Sequence, residues 1–119
     1  MNTLTKQPLV SVYIPTKNRL DLLSIAINSV LAQDYPNIEI VIVDDGSTDN
    51  TPKFLEQLVK KHTNIKFFRF EQSQGACSAR NWAIKNATGE FVTGLDDDDH
   101  FLPNRISSLI NHYKDEYAF

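Results

Sequence analysis

The chain has 119 residues, and its 12 Lys or Arg against 15 Asp or Glu leave a formal net charge of −3. That balance, with no basic stripe, argues against nucleic acid as a partner, and the 41% hydrophobic content is that of an ordinary folded domain. One cysteine, Cys77, excludes an intrachain disulfide, and no apolar stretch is long enough for a transmembrane segment.

Met1 to Pro8 is polar and carries no apolar signal core, so a soluble, cytoplasmic domain is expected. Residues Leu9 to Ile14 read as a first strand, stopped by Pro15. Leu23, Ile27, Val30 and Leu31 then share one face of a first helix. Ile38 to Val43 is a second strand, β-branched and almost wholly apolar, as a strand buried on both faces should be. Thr51-Pro52 has the form of an N-cap followed by proline at the first helical position, opening a second helix with Phe54, Leu55, Leu58 and Val59 on one face.

Ile65 to Phe70 supplies a third strand. A third helix from about Ala76 to Ala87 ends near Gly89. Its Ala76, Ala79 and Ala83 permit close packing on a sheet with Trp82 alongside, and Cys77 is expected as a small buried packing residue. Glu90 to Leu95 is a fourth strand, and a fourth helix opening at Pro103 carries Ile106, Leu109, Ile110 and Tyr113. This alternation predicts an α/β fold, a Rossmann-like parallel sheet with helices on both faces. The chain reads as a single domain over 1–119 that stops at Tyr117-Ala118-Phe119, where larger doubly wound domains continue. It therefore looks like an amino-terminal piece, truncated after about four βα units.

In such sheets ligands bind outside the carboxyl ends of the strands, near the point where strand order reverses. The polar clusters fall at those ends: Pro15 to Arg19 after the first strand, Asp44 to Asp49 after the second, Gln72 to Gly75 after the third, and Asp96 to Asp99 after the fourth. With the order 3-2-1-4, the first and fourth loops face each other. Four consecutive carboxylates at a strand end repel one another by roughly 1 kcal/mol per close pair even in water. Hard divalent ions such as Mg²⁺ or Mn²⁺ relieve that repulsion and favour oxygen ligands. Each cluster also has a plainer account. An acid run suits a solvated loop, Asp44-Asp45-Gly46-Ser47 suits a turn, and Arg80 suits a surface ion pair. His100, alone beside the acids, is more in keeping with a neighbour than a ligand.

Taken together, Val10 to Arg19, Val43 to Thr51, Gly75 to Asn81 and Leu95 to Asp99 resemble the amino-terminal half of a family 2 glycosyltransferase of the GT-A type, over about Leu9 to Tyr113. The resemblance implies a nucleotide-diphosphate-sugar donor, most often a UDP-sugar, a divalent metal (Mn²⁺ or Mg²⁺), and a carbohydrate or lipid-linked acceptor. It implies an inverting transferase in polysaccharide or glycoconjugate synthesis, working in the cytoplasm or at the inner face of the membrane. By position, Pro15 and Thr16 would border the nucleoside, Asp44 and Asp45 the uracil and ribose, and Arg80 the base or diphosphate, with Asn18 and Gly75 also among the nucleotide-sugar-binding residues. Asp96 and Asp98 would form the Asp-x-Asp pair, with Asp98 the direct metal ligand and Asp96 near the ribose or a metal-bound water, and Asp97 would stand between them in the donor site. In this family the catalytic base comes from the later half of the domain, so none is assigned, Asp99 included. The alternative is a nucleotide-binding fragment without transferase activity as isolated.

Other parallel α/β classes fit less well. A phosphoacceptor receiver domain needs an aspartate after a middle strand and a later lysine, whereas the third strand ends in Phe70-Glu71-Gln72. A dinucleotide-binding dehydrogenase needs a Gly-x-Gly-x-x-Gly turn that Pro15-Thr16-Lys17-Asn18 lacks. A nucleotidyltransferase forming sugar nucleotides would carry a glycine-rich phosphate loop at the same place.

Overall fold

The computed structural model describes residues 7–117, with side chains through residue 113. The polar stretch up to Lys6, with Ala118 and Phe119, lies outside the described residues. The elements alternate as expected: β1 (Val10–Thr16), α1 (Leu20–Leu31), β2 (Ile38–Asp45), α2 (Thr51–Lys61), β3 (Ile65–Phe70), α3 (Ala76–Asn86), β4 (Phe91–Gly94) and α4 (Arg105–Tyr117). The four strands form one parallel sheet in the order β3-β2-β1-β4. Strand order thus reverses between β1 and β4, which fixes where a ligand crevice opens.

The two faces of the sheet are covered unequally. Ile38, Ile40 and Ile42 of β2 join Val10, Val12 and Ile14 of β1 in a core sealed by Leu23, Ile27 and Val30 of α1, Leu55 of α2, and Ile106 and Ile110 of α4. The alternate residues Val41 and Val43 face Ala79 and Ala83 of α3, with Phe68 and Trp82 at the margin. Their rings meet at 3.8 Å. Both faces of β2 are therefore dry from Ile40 to Val43, which is why that stretch is a continuous apolar run. Each fully buried Ile or Leu contributes about 1.5–3 kcal/mol by leaving water, so the two-faced centre of the sheet anchors the fold. The alanines of α3 let that helix lie close against β1 and β2.

Several boundaries differ from the sequence reading, each for a local reason. β1 runs through Pro15 to Thr16, since Pro15 pairs in register with Val43. The odd-numbered residues of β1 turn their backbone groups toward β4, as the bond from Leu95 N–H to the Tyr13 carbonyl shows. At Pro15 that side has no strand left, because β4 ends at Gly94. The missing proline N–H thus has nothing to bond and the strand continues. β2 likewise extends through Asp44 and Asp45, which pair in register with Arg69 and Phe70. Asn50, not Thr51, precedes α2, and Asp49 Oδ1 accepts the Thr51 amide at 3.0 Å. α4 begins at Arg105 rather than at Pro103.

Cys77 is exposed, against the expectation of a packing residue. It lies on the side of α3 turned away from Ala79 and Ala83, because two helical positions rotate a side chain by more than half a turn. Ala76 is exposed as well, at the first turn of α3. Among the described residues no helix is long and apolar enough to cross a membrane.

Candidate functional site

Asp96 to Asp99 form a single tight turn, closed by the Asp99 amide on the Asp96 carbonyl at 3.0 Å. A turn of this kind cannot aim four successive side chains the same way. Asp97 points inward and is 7% exposed, accepting the Thr16 hydroxyl at 2.9 Å and the Arg19 guanidinium at 3.3 Å. Asp96, Asp98 and Asp99 point outward, and one carboxylate oxygen from each lies within 4.8 Å of the others. The inward acid ties the turn to the end of β1, and the three outward ones are held close together despite their repulsion. Hard oxygen donors at that spacing are what a divalent cation takes up, so the residues present fit such an ion.

Two clefts meet at Asp96. A cleft of about 440 Å³ lies between the β1 loop and the start of α3, bordered by Pro15, Thr16, Lys17, Asp45 and Asp98. A cleft of about 700 Å³ lies on the β4 side, bordered by Tyr13, Arg80, Asp99, His100 and Arg105. Pro15, Ala76 and Asp96 border both. Charged side chains of both signs border each cleft, Lys17 and Arg19 with the acids in the first and Arg80 and Arg105 with the acids in the second.

Asp45 ends β2 on the α3 side. It accepts the Ser73 hydroxyl at 2.7 Å and the backbone amides of Gln74 and Gly75 at 2.7 and 3.1 Å. Burial pushes its pKa up, but those bonds from Gln74, Ser73 and Gly75, with Lys17 nearby, outweigh burial and hold it below the ordinary value. An ionised carboxylate offers about four lone-pair sites, so three donors leave room for one more from the cleft. Gly75 permits this arrangement at φ +98°, which side chains rarely adopt. Gly46 has a similar role at φ +77°: a Cβ there would lie 2.8 Å from the Ser73 amide nitrogen.

The neighbouring Asp44 faces the opposite side of the sheet. Its side chain is fully buried, Oδ1 accepts the Ser47 amide at 3.0 Å, and Oδ2 lies 3.5 Å from Arg69 Nε. Asp44 borders neither cleft. Asn18, at φ 54°, braces loops instead: its Oδ1 accepts the Thr48 and Asp49 amides at 2.7 and 3.2 Å, and its own amide donates to the Ser47 hydroxyl at 2.9 Å. The structure therefore brings Pro15, Thr16, Asp45, Arg80, Asp96, Asp97 and Asp98 to the clefts and sets Asn18 and Asp44 behind them. Sequence reasoning gave no site role to Lys17, Arg19 or Asp99, although the first two stand in the same polar run as Pro15. The pattern could flag that run, but only the turn geometry shows which of its side chains face the acids.

The chain matches the family described as glycosyl transferase family 2 over residues 11–119, and it belongs to that family. A glycosyl transferase of Escherichia coli (strain K12), whose name provisionally assigns it to colanic acid biosynthesis, is 47% identical over 107 residues, 88% of this chain and 38% of that protein. The GalNAc(5)-diNAcBac-PP-undecaprenol beta-1,3-glucosyltransferase of Campylobacter jejuni is 40% identical over 112 residues, covering 93% of this chain and 36% of the relative. The chain thus spans less than two fifths of the length of either. Among solved structures, the mannosyltransferase PcManGT of Pyrobaculum calidifontis, in complex with GDP-Man and Mn²⁺, superposes with a TM-score of 0.78 at 33% identity, over 92% of this chain and 32% of that one. Residues 1–349 of S. aureus TarS in complex with UDP superpose at 0.80 with 34% identity, over 92% and 32%. The sheet order and helices of this chain are those of the GT-A fold that these glycosyltransferases share.

Proposed function

We propose that this chain carries the donor site of a glycosyltransferase that moves a sugar from a nucleotide diphosphate to an acceptor in polysaccharide or glycoconjugate synthesis. The observation that carries the reading is the outward triad Asp96, Asp98 and Asp99, gathered within 4.8 Å where the two clefts meet. Asp98 and Asp96, with Asp99 beside them, would hold Mn²⁺ or Mg²⁺. When bound, that ion supplies positive charge to the diphosphate that departs as the glycosidic bond breaks. Asp97 orients the turn from inside through Thr16.

The nucleoside fits the smaller cleft, with Pro15 and Thr16 on one wall and Asp45 on the other. The free lone pair of Asp45 can accept an imide or ribose donor. Gly75 sets the backbone that holds Asp45, and Arg80 reaches toward the diphosphate from the larger cleft. Asn18 and Asp44 support these loops from behind. UDP is the preferred nucleotide, since complexes of UDP and UDP-GlcNAc are known for a structural relative. The GDP-Man complex of another relative makes base identity the point to measure. Inversion at the anomeric carbon would need a base opposite the leaving group, a role given to no residue here. An acceptor linked to a lipid diphosphate, as the name of the Campylobacter relative describes, would bring the reaction to a membrane surface.

Calorimetry of the chain with UDP, with and without Mn²⁺, tests the reading. Metal-dependent binding of UDP, lost in Asp98→Asn, is the expected result. Tight UDP binding indifferent to EDTA and to Asp98→Asn would remove the metal assignment. Equal affinity for UDP, GDP and ADP would remove the base preference, because a buried acceptor left unpaired by the wrong base costs roughly 1–3 kcal/mol.

A further inference from the structure

Arg19 contacts two members of the acidic turn with one nitrogen. Its NH1 lies 3.3 Å from Asp97 Oδ1 and 3.6 Å from Asp98 Oδ2. Asp97 is buried and already held by Thr16, whereas Asp98 is half-exposed and belongs to the outward triad. Arg19 therefore bridges the acid that anchors the turn and an acid that faces the clefts. Its own side chain is 51% exposed, so it is free to swing into solvent.

We propose that Arg19 is a resident counter-cation of the acidic turn and lowers the affinity of the Asp96, Asp98 and Asp99 group for a divalent ion. The proposal rests on reading that group as a metal site. The alternative is that Arg19 preorganises the turn, so that its removal would weaken metal binding. Magnitudes decide between them. The Arg19 pairs are exposed on at least one side, and such pairs contribute little to holding a loop. The Thr16 hydroxyl and the turn's own backbone bond hold it independently of Arg19. A guanidinium a few ångströms from a dication, by contrast, repels it with an energy equivalent to a several-fold change in affinity even at the dielectric constant of water. Repulsion outweighs tethering, and Arg19 acts as a positioning residue whose charge sets how readily the ion enters.

The test is a titration of Mn²⁺ into the chain, followed by the electron paramagnetic resonance signal of free Mn²⁺. Wild type, Arg19→Gln, Arg19→Lys and Asp98→Asn are compared at low and high ionic strength. Arg19→Gln should bind Mn²⁺ roughly 3- to 10-fold more tightly than wild type at low salt, with the gain shrinking as salt rises. Arg19→Lys should stay near wild type, and all four should melt alike. Unchanged or weaker Mn²⁺ binding by Arg19→Gln, with wild-type binding that Asp98→Asn abolishes, would overturn the role of Arg19 and leave the metal site standing. Absence of Mn²⁺ binding by wild type would overturn both.

Discussion

Two groups of carboxylates stand at opposite ends of the same sheet, and they are built on opposite terms. At the amino ends of the strands, Glu39 is surrounded by donors from three segments. It accepts the Ser11 hydroxyl at 2.5 Å, the Thr88 amide at 3.0 Å, the Thr88 hydroxyl at 2.9 Å and the Lys66 ammonium at 2.9 Å. The Ser11 hydroxyl in turn accepts the Gly89 amide at 2.9 Å. Burial alone would raise the Glu39 pKa, but Lys66, Ser11 and Thr88 outweigh it and hold it at about 2. At the carboxyl ends, Asp96, Asp98 and Asp99 face outward within 4.8 Å of one another, with Arg19 reaching Asp98 at 3.6 Å. The first group is closed, with its charge neutralised inside the fold. The second is left open, which costs repulsion that a bound cation would relieve. Glu39, engaged by internal donors on both oxygens, ties strands together, whereas the outward acids keep lone pairs free for a ligand.

This contrast can be broken in either direction. The largest separation should come from Asp98→Asn, which is expected to weaken Mn²⁺ on the order of 100-fold, in line with loss of a metal-site interaction, with an unchanged melting midpoint. A large loss of stability would show that the open cluster also holds the fold. Glu39→Gln should do the reverse. It is expected to cost about 1–2 kcal/mol in urea unfolding, since it removes the charge partner of Lys66, whose ammonium keeps its bond to the Asn86 carbonyl, and weakens three other bonds, while Mn²⁺ affinity in the folded protein stays within about twofold, a change too small to be a lost interaction. Weakened Mn²⁺ binding in Glu39→Gln would couple the two ends and defeat the comparison.

Acid titration isolates the same difference without mutation. The folded pKa of Glu39 lies near 2 and its unfolded value near about 4.3. Its contribution is therefore present in full above the unfolded value and lost as pH falls from there through 2. Asp45, also depressed, adds loss of the same sign. Urea unfolding should show stability falling steeply across that window in wild type and less steeply in Glu39→Gln. Equal slopes would remove Glu39 from the account.

Gly46→Ala should cost about 1–2 kcal/mol, because it forces a side chain into the left-handed region and drives a Cβ against the Ser73 amide. Its effect on nucleotide affinity should exceed its effect on Mn²⁺, since it disturbs the loop that clasps Asp45 and leaves the acidic turn alone. The smallest effect belongs to Thr16→Val, which removes one hydroxyl from buried Asp97 and should lower stability by about 1 kcal/mol. Mn²⁺ binding should weaken modestly as the turn loosens. Thr16→Val with tighter Mn²⁺ binding would show that the inward pull on Asp97 opposes the ion.

The order of elements, the parallel sheet and the buried face of α1 were legible because apolar periodicity records burial directly. Ile38 to Val43 has to be wet on neither side, and Leu23, Ile27 and Val30 have to share one side of α1. The strand ends were less legible. Pro15 signals a stop unless the neighbouring strand is known to have ended already, and Cys77 signals burial unless its position relative to Ala79 and Ala83 is known. The four polar clusters could be gathered at one edge from sequence, because a parallel sheet puts every βα loop there. What the sequence could not sort was direction. Asp44 and Asp45 are chemically identical neighbours, yet the pleat sends one to a buried turn with Arg69 and the other to the cleft. Asp96 to Asp99 are four copies of one side chain, and only the turn that joins β4 to α4 decides that Asp97 faces Thr16 while the others face outward. Composition and spacing determine which charges arrive at the site; the alternation of the pleat and the hand of a single turn determine which of them meet a ligand.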